Sequence, residues 1–356
     1  MKKIILTAFL ALSLITGSAS AMSKSVSIAD QGSFAAGGTV VQTPGALKPE
    51  EPMNPAGQTL HGDHAYVFYQ KPVHAHKYPL VFLHGGGQSA KTWETTPDGR
   101  DGFQNIFLGR GYSTYLVDQP RRGRAGQGTV DGTVSASTLD QFWYAQFRLG
   151  IWPNYYEGVQ FPKGEEALNQ FLRQITPNTG DFDKQVISDS MTAVFEKSGD
   201  GILVSHSQGG GPGWLTAVKS NKVKAVVSFE PWDGFFFPEG EVPEAIQTSS
   251  PFGALEGTPI AMEDFLKLTK IPILVYYGDN IPDKPSKEWN GDSWHARLDM
   301  ARIWVDTINR HGGDATLVHL PEIGIYGNTH FIISDLNNVQ IANHMSVWMH
   351  EKGLDK

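Results

Sequence analysis

The sequence predicts an α/β protein with a mostly parallel, doubly wound sheet, and two observations support this fold class. Short apolar segments without polar alternation recur between residues 79 and 320, as in strands of a sheet that is covered on both faces. Stretches with helical patterning separate them, as the crossovers between parallel strands require. The six predicted strands are 79–84, 111–118, 201–205, 223–229, 271–277 and 315–320.

Three helices are predicted around the last strands, and two longer regions do not follow the alternation of strand and helix. The helices are expected at 213–220, 293–311 and 338–351. The regions at about 130–195 and 231–265 leave from the ends of predicted strands. Ligands bind beyond the carboxyl ends of the strands in a doubly wound sheet, so we expect these two insertions to form a cap that walls a pocket.

Composition narrows the class of protein. The chain has 356 residues and a hydrophobic fraction of 40%, which is sufficient for a sizeable buried core. A formal net charge of −8 argues against nucleic acid and anionic membrane surfaces as partners. There is no cysteine, so neither a disulfide nor a lipid-modified cysteine can hold or anchor the chain.

Residues 1–21 have the pattern of a secretory signal peptide. Two lysines precede an apolar run at 4–15, and Ala19-Ser20-Ala21 supplies the small residues of a cleavage site. The run is shorter than the ~20 residues that span a bilayer. We therefore expect cleavage near Ala21 and a periplasmic or secreted protein without a membrane anchor.

Residues 22–60 are predicted as an extended lead-in to the folded domain at 61–356. This stretch is rich in Ser, Gly, Pro and Ala, which favour turns over packed elements, and it contains one strand-like segment at 38–42. A further strand is predicted at 64–70, where aromatic and small residues alternate.

The strongest local motif surrounds Ser207. The segment Ile202-Leu-Val-Ser-His-Ser207-Gln-Gly-Gly consists of an apolar strand, a turn of small residues and the start of a helical stretch. It resembles the nucleophile elbow of the α/β-hydrolases, Gly-x-Ser-x-Gly, in which the serine lies on a strained turn. Gly209 matches this pattern, whereas Ser205 replaces the first glycine. Serine is the next-smallest polar residue, so the motif still predicts Ser207 as a nucleophile.

A second motif follows the first predicted strand. The strand at 79–84 ends in His84-Gly-Gly-Gly87, and glycines allow the backbone to approach a substrate closely. Acyl transfer needs two N–H groups directed at one oxyanion. In the α/β-hydrolase fold one comes from the residue after the nucleophile, here Gln208, and the other from the loop after this earlier strand. We expect Gly86 to supply the second N–H group, with Gly87 as the alternative.

His330 is the predicted general base, and two carboxylates are candidates for the acid that orients it. His330 follows the last predicted strand and precedes the last helix, which is the position of the base in the chain order Ser, acid, His. Glu230 and Asp279 each end a strand between Ser207 and His330, and either carboxylate could fix the tautomer of the ring. Position along the chain leaves both open.

Residues 79–350 resemble a bacterial secreted esterase branch of the α/β-hydrolase superfamily. The shared motifs are His84-Gly, the run Thr-Trp-Glu-Thr-Thr-Pro-Asp-Gly-Arg at 92–100, Ser-His-Ser-Gln-Gly at 205–209, Glu230-Pro, and Gly-Asn-Thr-His at 327–330. The resemblance implies the α/β-hydrolase fold, with helical insertions that form a cap. It also implies that the acid is Glu230, in which case Asp279 is a cap or turn residue.

The expected function is that of a serine hydrolase that cleaves carboxylic esters through an acyl-enzyme, with a small-molecule ester as substrate. The preference for esters follows from the resemblance alone. Acyl transfer to an alcohol by the same residues, and a non-catalytic binding protein with the same fold, are the alternatives. The chemistry needs no cofactor, and the pair His74-x-His76 lacks the nearby third ligand of a metal site.

Three arginines follow the predicted strand at 111–118. We expect Arg121, Arg122 and Arg124 to brace a turn with hydrogen bonds, and the alternative is recognition of an acidic group on a substrate. Both interpretations place them beyond the end of a strand and therefore near the pocket.

Overall fold

A computed structural model describes residues 25–356. The predicted signal peptide at 1–21 therefore lies outside the described residues. None of the helices in the described part of the chain has the length and the apolar composition needed to cross a bilayer.

The described residues form twelve strands and eight α-helices. In chain order the strands are β1 (Ile28–Gln42), β2 (Thr59–Pro72), β3 (Leu80–Leu83), β4 (Thr114–Asp118), β5 (Gly150–Ile151), β6 (Asn154–Tyr155), β7 (Gly201–His206), β8 (Val223–Phe229), β9 (Phe236–Pro238), β10 (Thr258–Ile260), β11 (Pro272–Tyr277) and β12 (Asp314–His319). The helices are α1 (Phe103–Gly109), α2 (Asp140–Gln146), α3 (Glu165–Arg173), α4 (Lys184–Ser198), α5 (Gly210–Lys219), α6 (Met262–Leu268), α7 (Trp289–Arg310) and α8 (Asn338–Glu351).

Eight of these strands form one sheet in the order β1-β2-β4-β3-β7-β8-β11-β12. β2 runs antiparallel to both of its neighbours, β1 and β4, and every pair from β4 to β12 is parallel. β3 and β7 are buried along their whole length because helices cover both faces of the sheet. The predicted α/β fold class, with a mostly parallel, doubly wound sheet, is confirmed.

The two faces of the sheet carry separate hydrophobic cores. α4, α5, α6 and α7 pack on one face, where the ring centroids of Trp214 and Trp304 lie 4.5 Å apart. α1 and α8 cover the other face, together with Trp93 from the segment after β3. A buried aromatic side chain removes roughly 150–250 Å² from water, so these layers hold the strands in fixed relative positions.

The expectation of an extended lead-in at 22–60 needs correction. Residues 28–42 form β1, which pairs with β2 in a long antiparallel hairpin at the edge of the sheet. The strand-like segment predicted at 38–42 is only the end of this strand. Composition concealed the rest because β1 is a largely exposed edge strand that is rich in Gly and Ala and has little apolar alternation.

The first insertion is shorter than predicted. α4 lies largely within the predicted range of 130–195, but its residues Ile187 and Phe195 pack into the core of the sheet. The structure outside the sheet therefore comprises α2, the β5–β6 hairpin and α3. Aromatic residues of this region form a third core with Phe331, the neighbour of His330. This cap thus contacts the loop on which the predicted base lies.

The second insertion, predicted at 231–265, lies between β8 and β11. β9 and β10 pair within it as a small parallel sheet. α6 begins inside this range and packs on the same face of the main sheet as α5. The segment therefore also supplies a helix to the crossover between two parallel strands.

Candidate active site

Ser207 lies on a sharp turn between β7 and α5. Its φ angle is 54°, a left-handed conformation that is uncommon for a residue with a side chain. The chain packs closely against other parts of the backbone on both sides of this turn. A Cβ atom at Gly209 would lie 2.6 Å from the His84 carbonyl oxygen, and one at Gly85 would lie 2.6 Å from Ser207 Cβ. The turn therefore leaves no room for a side chain at either glycine.

Ser205 occupies the position where the elbow pattern has its first glycine. Its side chain is fully buried, and its hydroxyl donates a hydrogen bond to Ser228 Oγ on the neighbouring strand β8 (2.9 Å). A buried hydroxyl is tolerated where it has such a partner. This bond explains how the chain accommodates the departure from the pattern.

Ser207, His330, Gly86 and Gln208 line one cavity of about 150 Å³. The structure thus brings together the predicted nucleophile, the predicted base and the two residues expected to supply oxyanion N–H groups. The other side chains of the wall are aromatic rings and one amide, namely Trp143, Gln146, Phe147, Trp232 and Phe252.

Gly87, the alternative donor of an oxyanion N–H group, has a left-handed backbone with a φ angle of 65°. Its carbonyl oxygen accepts a hydrogen bond from the N–H group of Thr176 (2.9 Å). This bond ties the glycine loop, which comprises residues 84–87, to the segment that follows α3. Of the two candidate glycines, Gly86 is the one that lines the cavity.

The glycine loop is braced by residues at the end of β4 and directly after it. Arg122 donates hydrogen bonds to the carbonyl oxygens of Gly85 (3.3 Å) and Gln88 (3.0 Å). The carboxylate of Asp118 accepts the N–H group of Ala90 (2.7 Å). Arg122 therefore stabilises a turn, the first of the two roles considered for it.

The other two arginines of this segment form internal ion pairs. Arg121 Nε lies 2.7 Å from Asp63 Oδ1, and Arg124 Nε lies 2.8 Å from Asp118 Oδ2. Within the described residues, none of the three arginines lines the cavity next to Ser207. Their contacts fit the bracing of turns rather than recognition of a substrate.

The ring of His330 is buried, and the carboxylate of Glu230 contacts it. Nδ1 of His330 lies 2.9 Å from Glu230 Oε2, which leaves Nε2 as the nitrogen available to Ser207. The rings of Trp294 and His206 pack against His330 with centroid distances of 4.4 Å and 4.5 Å. Burial lowers the pKa of His330 below its ordinary value, although Glu230 opposes this shift. The ring is therefore neutral at neutral pH and can accept a proton.

Glu230 is fully buried, and four hydrogen bonds satisfy its carboxylate. Besides the bond to the His330 ring, the carboxylate accepts hydrogen bonds from Nη1 and Nη2 of Arg148 (2.8 and 2.5 Å) and from the backbone N–H group of Gly278 (2.5 Å). Burial alone would raise the pKa of Glu230, but the charge of Arg148 and the contact with His330 outweigh it and lower the pKa to about 2. The carboxylate is therefore ionised at neutral pH.

Asp279, the alternative acid, holds the loop that precedes His330. Its carboxylate accepts the N–H group of Gly327 (2.6 Å), and its own N–H group donates to the carbonyl oxygen of Asn328 (2.9 Å). In the described part of the chain, no hydrogen bond joins Asp279 to the His330 ring. The structure therefore places Glu230, and not Asp279, against the predicted base.

Ser207 and His330 share the cavity without a direct hydrogen bond between their side chains in residues 25–356. Catalytic hydrogen bonds are often long or poorly aligned in free enzymes, and they tighten when substrate binds. The two side chains therefore lie at the same cavity.

Three residues that surround the predicted base were not identified as site residues from the sequence, namely Phe147, Arg148 and His206. The Phe147 ring stacks on the His330 ring with a centroid distance of 5.4 Å. The backbone carbonyl oxygen of Phe147 accepts a hydrogen bond from the backbone N–H group of His330 (3.0 Å). Nε2 of His206 lies 2.9 Å from the His330 carbonyl oxygen. Phe147 and Arg148 lie in the first insertion, which has no motif that links it to the base. For His206, adjacency to Ser207 is the one available signal.

His74 and His76 belong to the turn after β2. His76 Nε2 lies 2.9 Å from the carbonyl oxygen of Arg110, and its ring packs on that of Tyr112 with a centroid distance of 4.5 Å. Among residues 25–356, no group of three or more His, Asp or Glu side chains is arranged to hold a metal ion.

Comparison with known proteins agrees with this fold. The model of the alpha/beta hydrolase family matches residues 80–322. A novel bacterial esterase, whose structure is known at atomic resolution, shares 30% sequence identity and a TM-score of 0.73, over 92% of this chain and 97% of the esterase. A probable secreted lipase, phiG, from Fungal sp. (strain ATCC 74256), is 26% identical over 307 residues, which are 77% of this chain and 82% of the lipase.

The family model spans well over half of the chain, and the esterase aligns with nearly all of it. The relatives named above are an esterase and a lipase, so hydrolase chemistry is common to them. The chain belongs to the alpha/beta hydrolase family.

Proposed function

We propose that this protein is a serine hydrolase that cleaves carboxylic esters through an acyl-enzyme intermediate. Ser207 is the nucleophile, His330 is the general base, and Glu230 is the acid that orients the ring. One observation carries the proposal: Ser207, the Glu230-bound ring of His330 and both expected oxyanion positions lie around a single cavity. The similarity to an esterase and a lipase supports the same reaction class.

The first half of the reaction acylates Ser207. Nε2 of His330 takes the proton of the Ser207 hydroxyl as its oxygen attacks the ester carbonyl carbon. The N–H groups of Gly86 and Gln208 donate to the oxyanion that forms, and loss of one such donor typically lowers the rate ~10²–10³-fold. His330 then protonates the oxygen of the leaving alcohol.

Water removes the acyl group in the second half of the reaction. His330 takes a proton from water as the water oxygen attacks the acyl carbonyl carbon, and then gives that proton to the departing Ser207 oxygen. Glu230 stays ionised throughout because its pKa is low, and its charge stabilises the imidazolium that forms in each half.

The size of the cavity indicates a short or aromatic acyl group. Its volume of about 150 Å³ equals that of a cavity in another protein that accommodates benzene. The rings of Trp143, Trp232 and Phe252 form part of the wall, and such walls favour apolar groups. A long fatty acyl chain would extend beyond this volume.

A series of p-nitrophenyl esters tests the proposal, with the Ser207→Ala protein as the blank. We expect the highest kcat/KM for acetate, butyrate and benzoate esters, and a value lower by more than ~10-fold for the palmitate ester. Ser207→Ala should abolish turnover and leave the thermal unfolding midpoint nearly unchanged. Residual turnover equal to wild type would remove Ser207 from the mechanism. A preference for palmitate would overturn only the size limit.

We also propose that the enzyme acts outside the cytoplasm, in the periplasm or beyond the cell. The predicted signal peptide at 1–21 and the secreted lipase relative support export. N-terminal sequencing of the exported protein should begin at Met22. A chain that retains Met1 would contradict cleavage.

A further inference from the structure

Arg148 is a buried arginine of the cap segment, and it contacts Glu230, the carboxylate that binds the predicted base. It follows α2, adopts a left-handed backbone with a φ angle of 56°, and its side chain has no solvent exposure. Its guanidinium donates to both oxygens of Glu230, and Nε donates to the carbonyl oxygen of Asp279 (2.8 Å). Its Cζ lies 4.7 Å from the centre of the Trp294 ring. All three nitrogens thus donate a hydrogen bond, and the Trp294 ring packs beside them, so these contacts fix the orientation of the guanidinium.

We propose that Arg148 is a positioning residue: it holds the Glu230 carboxylate aligned with Nδ1 of His330, and so couples the cap to ester cleavage. This inference rests on the proposed function. A bidentate arginine fixes both carboxylate oxygens in one plane, which a single-point donor cannot do. Without it, the N–H group of Gly278 would be the one remaining hydrogen-bond partner of the Glu230 carboxylate among residues 25–356, besides the His330 ring.

The charge of Arg148 also acts on the base. The groups that face His330 come from four elements: Glu230 after β8, Arg148 after α2, His206 at the end of β7, and Arg297 on α7. After burial, which lowers the pKa of His330, Glu230 raises it, and the two arginines lower it. Removal of the Arg148 charge should therefore raise the pKa of His330 and protonate the ring at higher pH.

A structural role alone and a positioning role predict different results. A structural role predicts loss of stability with unchanged catalysis in the protein that remains folded. A positioning role predicts lower kcat with little change in KM, because the alignment of the base matters in the transition state. It also predicts a shift in the acid limb of the pH profile, which reports the ionisation of the free base.

The test compares Arg148→Met and Arg148→Lys in the full chain, with p-nitrophenyl acetate as substrate from about pH 4 to about pH 9. Arg148→Met should lower kcat by at least ~10-fold and move the acid limb of kcat/KM up by about one pH unit. Arg148→Lys keeps the charge but not the two-point contact. It should keep the acid limb in place and still lose kcat, by a smaller factor.

Arg110→Met is the matched control. Arg110 is another arginine with several hydrogen bonds, and it ties α1 to α8 away from the cavity. Its loss should lower stability and leave both kcat and the acid limb unchanged.

Three results would overturn the inference about Arg148. They are a folded Arg148→Met protein with wild-type kcat, an unmoved acid limb in that variant, or an Arg148→Lys protein with wild-type kcat. If Arg148→Met does not fold, the Arg148→Lys result decides alone. Activity that survives Ser207→Ala would instead overturn the proposed function and leave the contacts of Arg148 as structural.

Discussion

At the scale of single residues, the turn at Ser207 depends on the absence of neighbouring side chains. Gly209 has an ordinary helical φ angle of −67°, so its requirement for glycine concerns space and not backbone strain. The backbone of His84 occupies that space, and His84 begins the loop that contains Gly86. The nucleophile turn and the expected oxyanion loop therefore pack directly against each other.

Gly209→Ala should lower kcat/KM by ~10²-fold or more, because the added Cβ would push the His84 carbonyl, and with it the glycine loop, out of place. That Cβ would lie only 2.6 Å from the carbonyl oxygen of His84. Gly109→Ala is the control, since Gly109 ends α1 with open space around it. There the same change should leave kcat/KM intact and stabilise the fold by up to about 0.5–1 kcal/mol. Steady-state kinetics and thermal unfolding measure both effects. Wild-type kinetics in Gly209→Ala would mean that the two loops are not tightly packed.

Local motifs made Ser207, Gly86 and Gln208 predictable as candidates, and the position between the last strand and the last helix did the same for His330. Arg148 was not predictable, because its partner Glu230 lies 82 positions away and no nearby residue signals an ion pair. A buried pair of this kind is visible only once the cap has been folded onto the sheet.

At the scale of elements, the loop before α8 must hold His330 in place. Two carboxylates hold it, one from outside the loop and one from within it. Asp279, which follows β11, accepts the N–H group of Gly327, and the buried Asp335 accepts the N–H group and the hydroxyl of Thr329 (2.7 and 2.8 Å). This loop is therefore fixed by side-chain bonds and not by regular secondary structure.

Glu230→Gln and Asp279→Asn, compared side by side, separate the acid from the loop anchor. Glu230→Gln should lower kcat/KM by ~10³–10⁴-fold, because a neutral amide neither stabilises the imidazolium nor balances the Arg148 charge. Asp279→Asn should lower kcat/KM by less than ~10-fold and destabilise the fold by roughly 1 kcal/mol, since an amide oxygen can still accept the Gly327 N–H group. Kinetics and urea unfolding provide both numbers. A larger kinetic loss in Asp279→Asn would assign the acid to Asp279.

The buried strands were predictable because their side chains are apolar on both faces of the sheet. β1 was not, because an exposed edge strand needs few apolar residues, and glycine and alanine make its pattern indistinct. α4 was placed in the wrong layer because it directly follows the aromatic insertion and its hydrophobic face is weak in the sequence. Phe195 and Ile187 show that this face packs on the sheet.

At the scale of the whole molecule, the topology of the sheet explains why distant residues meet. β3, β7, β8 and β12 belong to the parallel part of the sheet, so the segments that follow them leave from the same edge. These segments carry Gly86, Ser207, Glu230 and His330. Glu230 and His330 are 100 positions apart in the chain and 2.9 Å apart in space. This convergence follows from strand order, whereas the contribution of the cap depends on packing that no chain motif encodes.

The central claim is that the hydroxyl of Ser207 is activated as a nucleophile by this arrangement, and reaction with a fluorophosphonate probe tests it most directly. Intact-mass analysis and peptide mapping of the folded protein should find one probe per chain, attached to Ser207, and none on the Ser207→Ala protein. A folded wild-type chain that takes up no probe, or that carries it on another residue, would contradict the account.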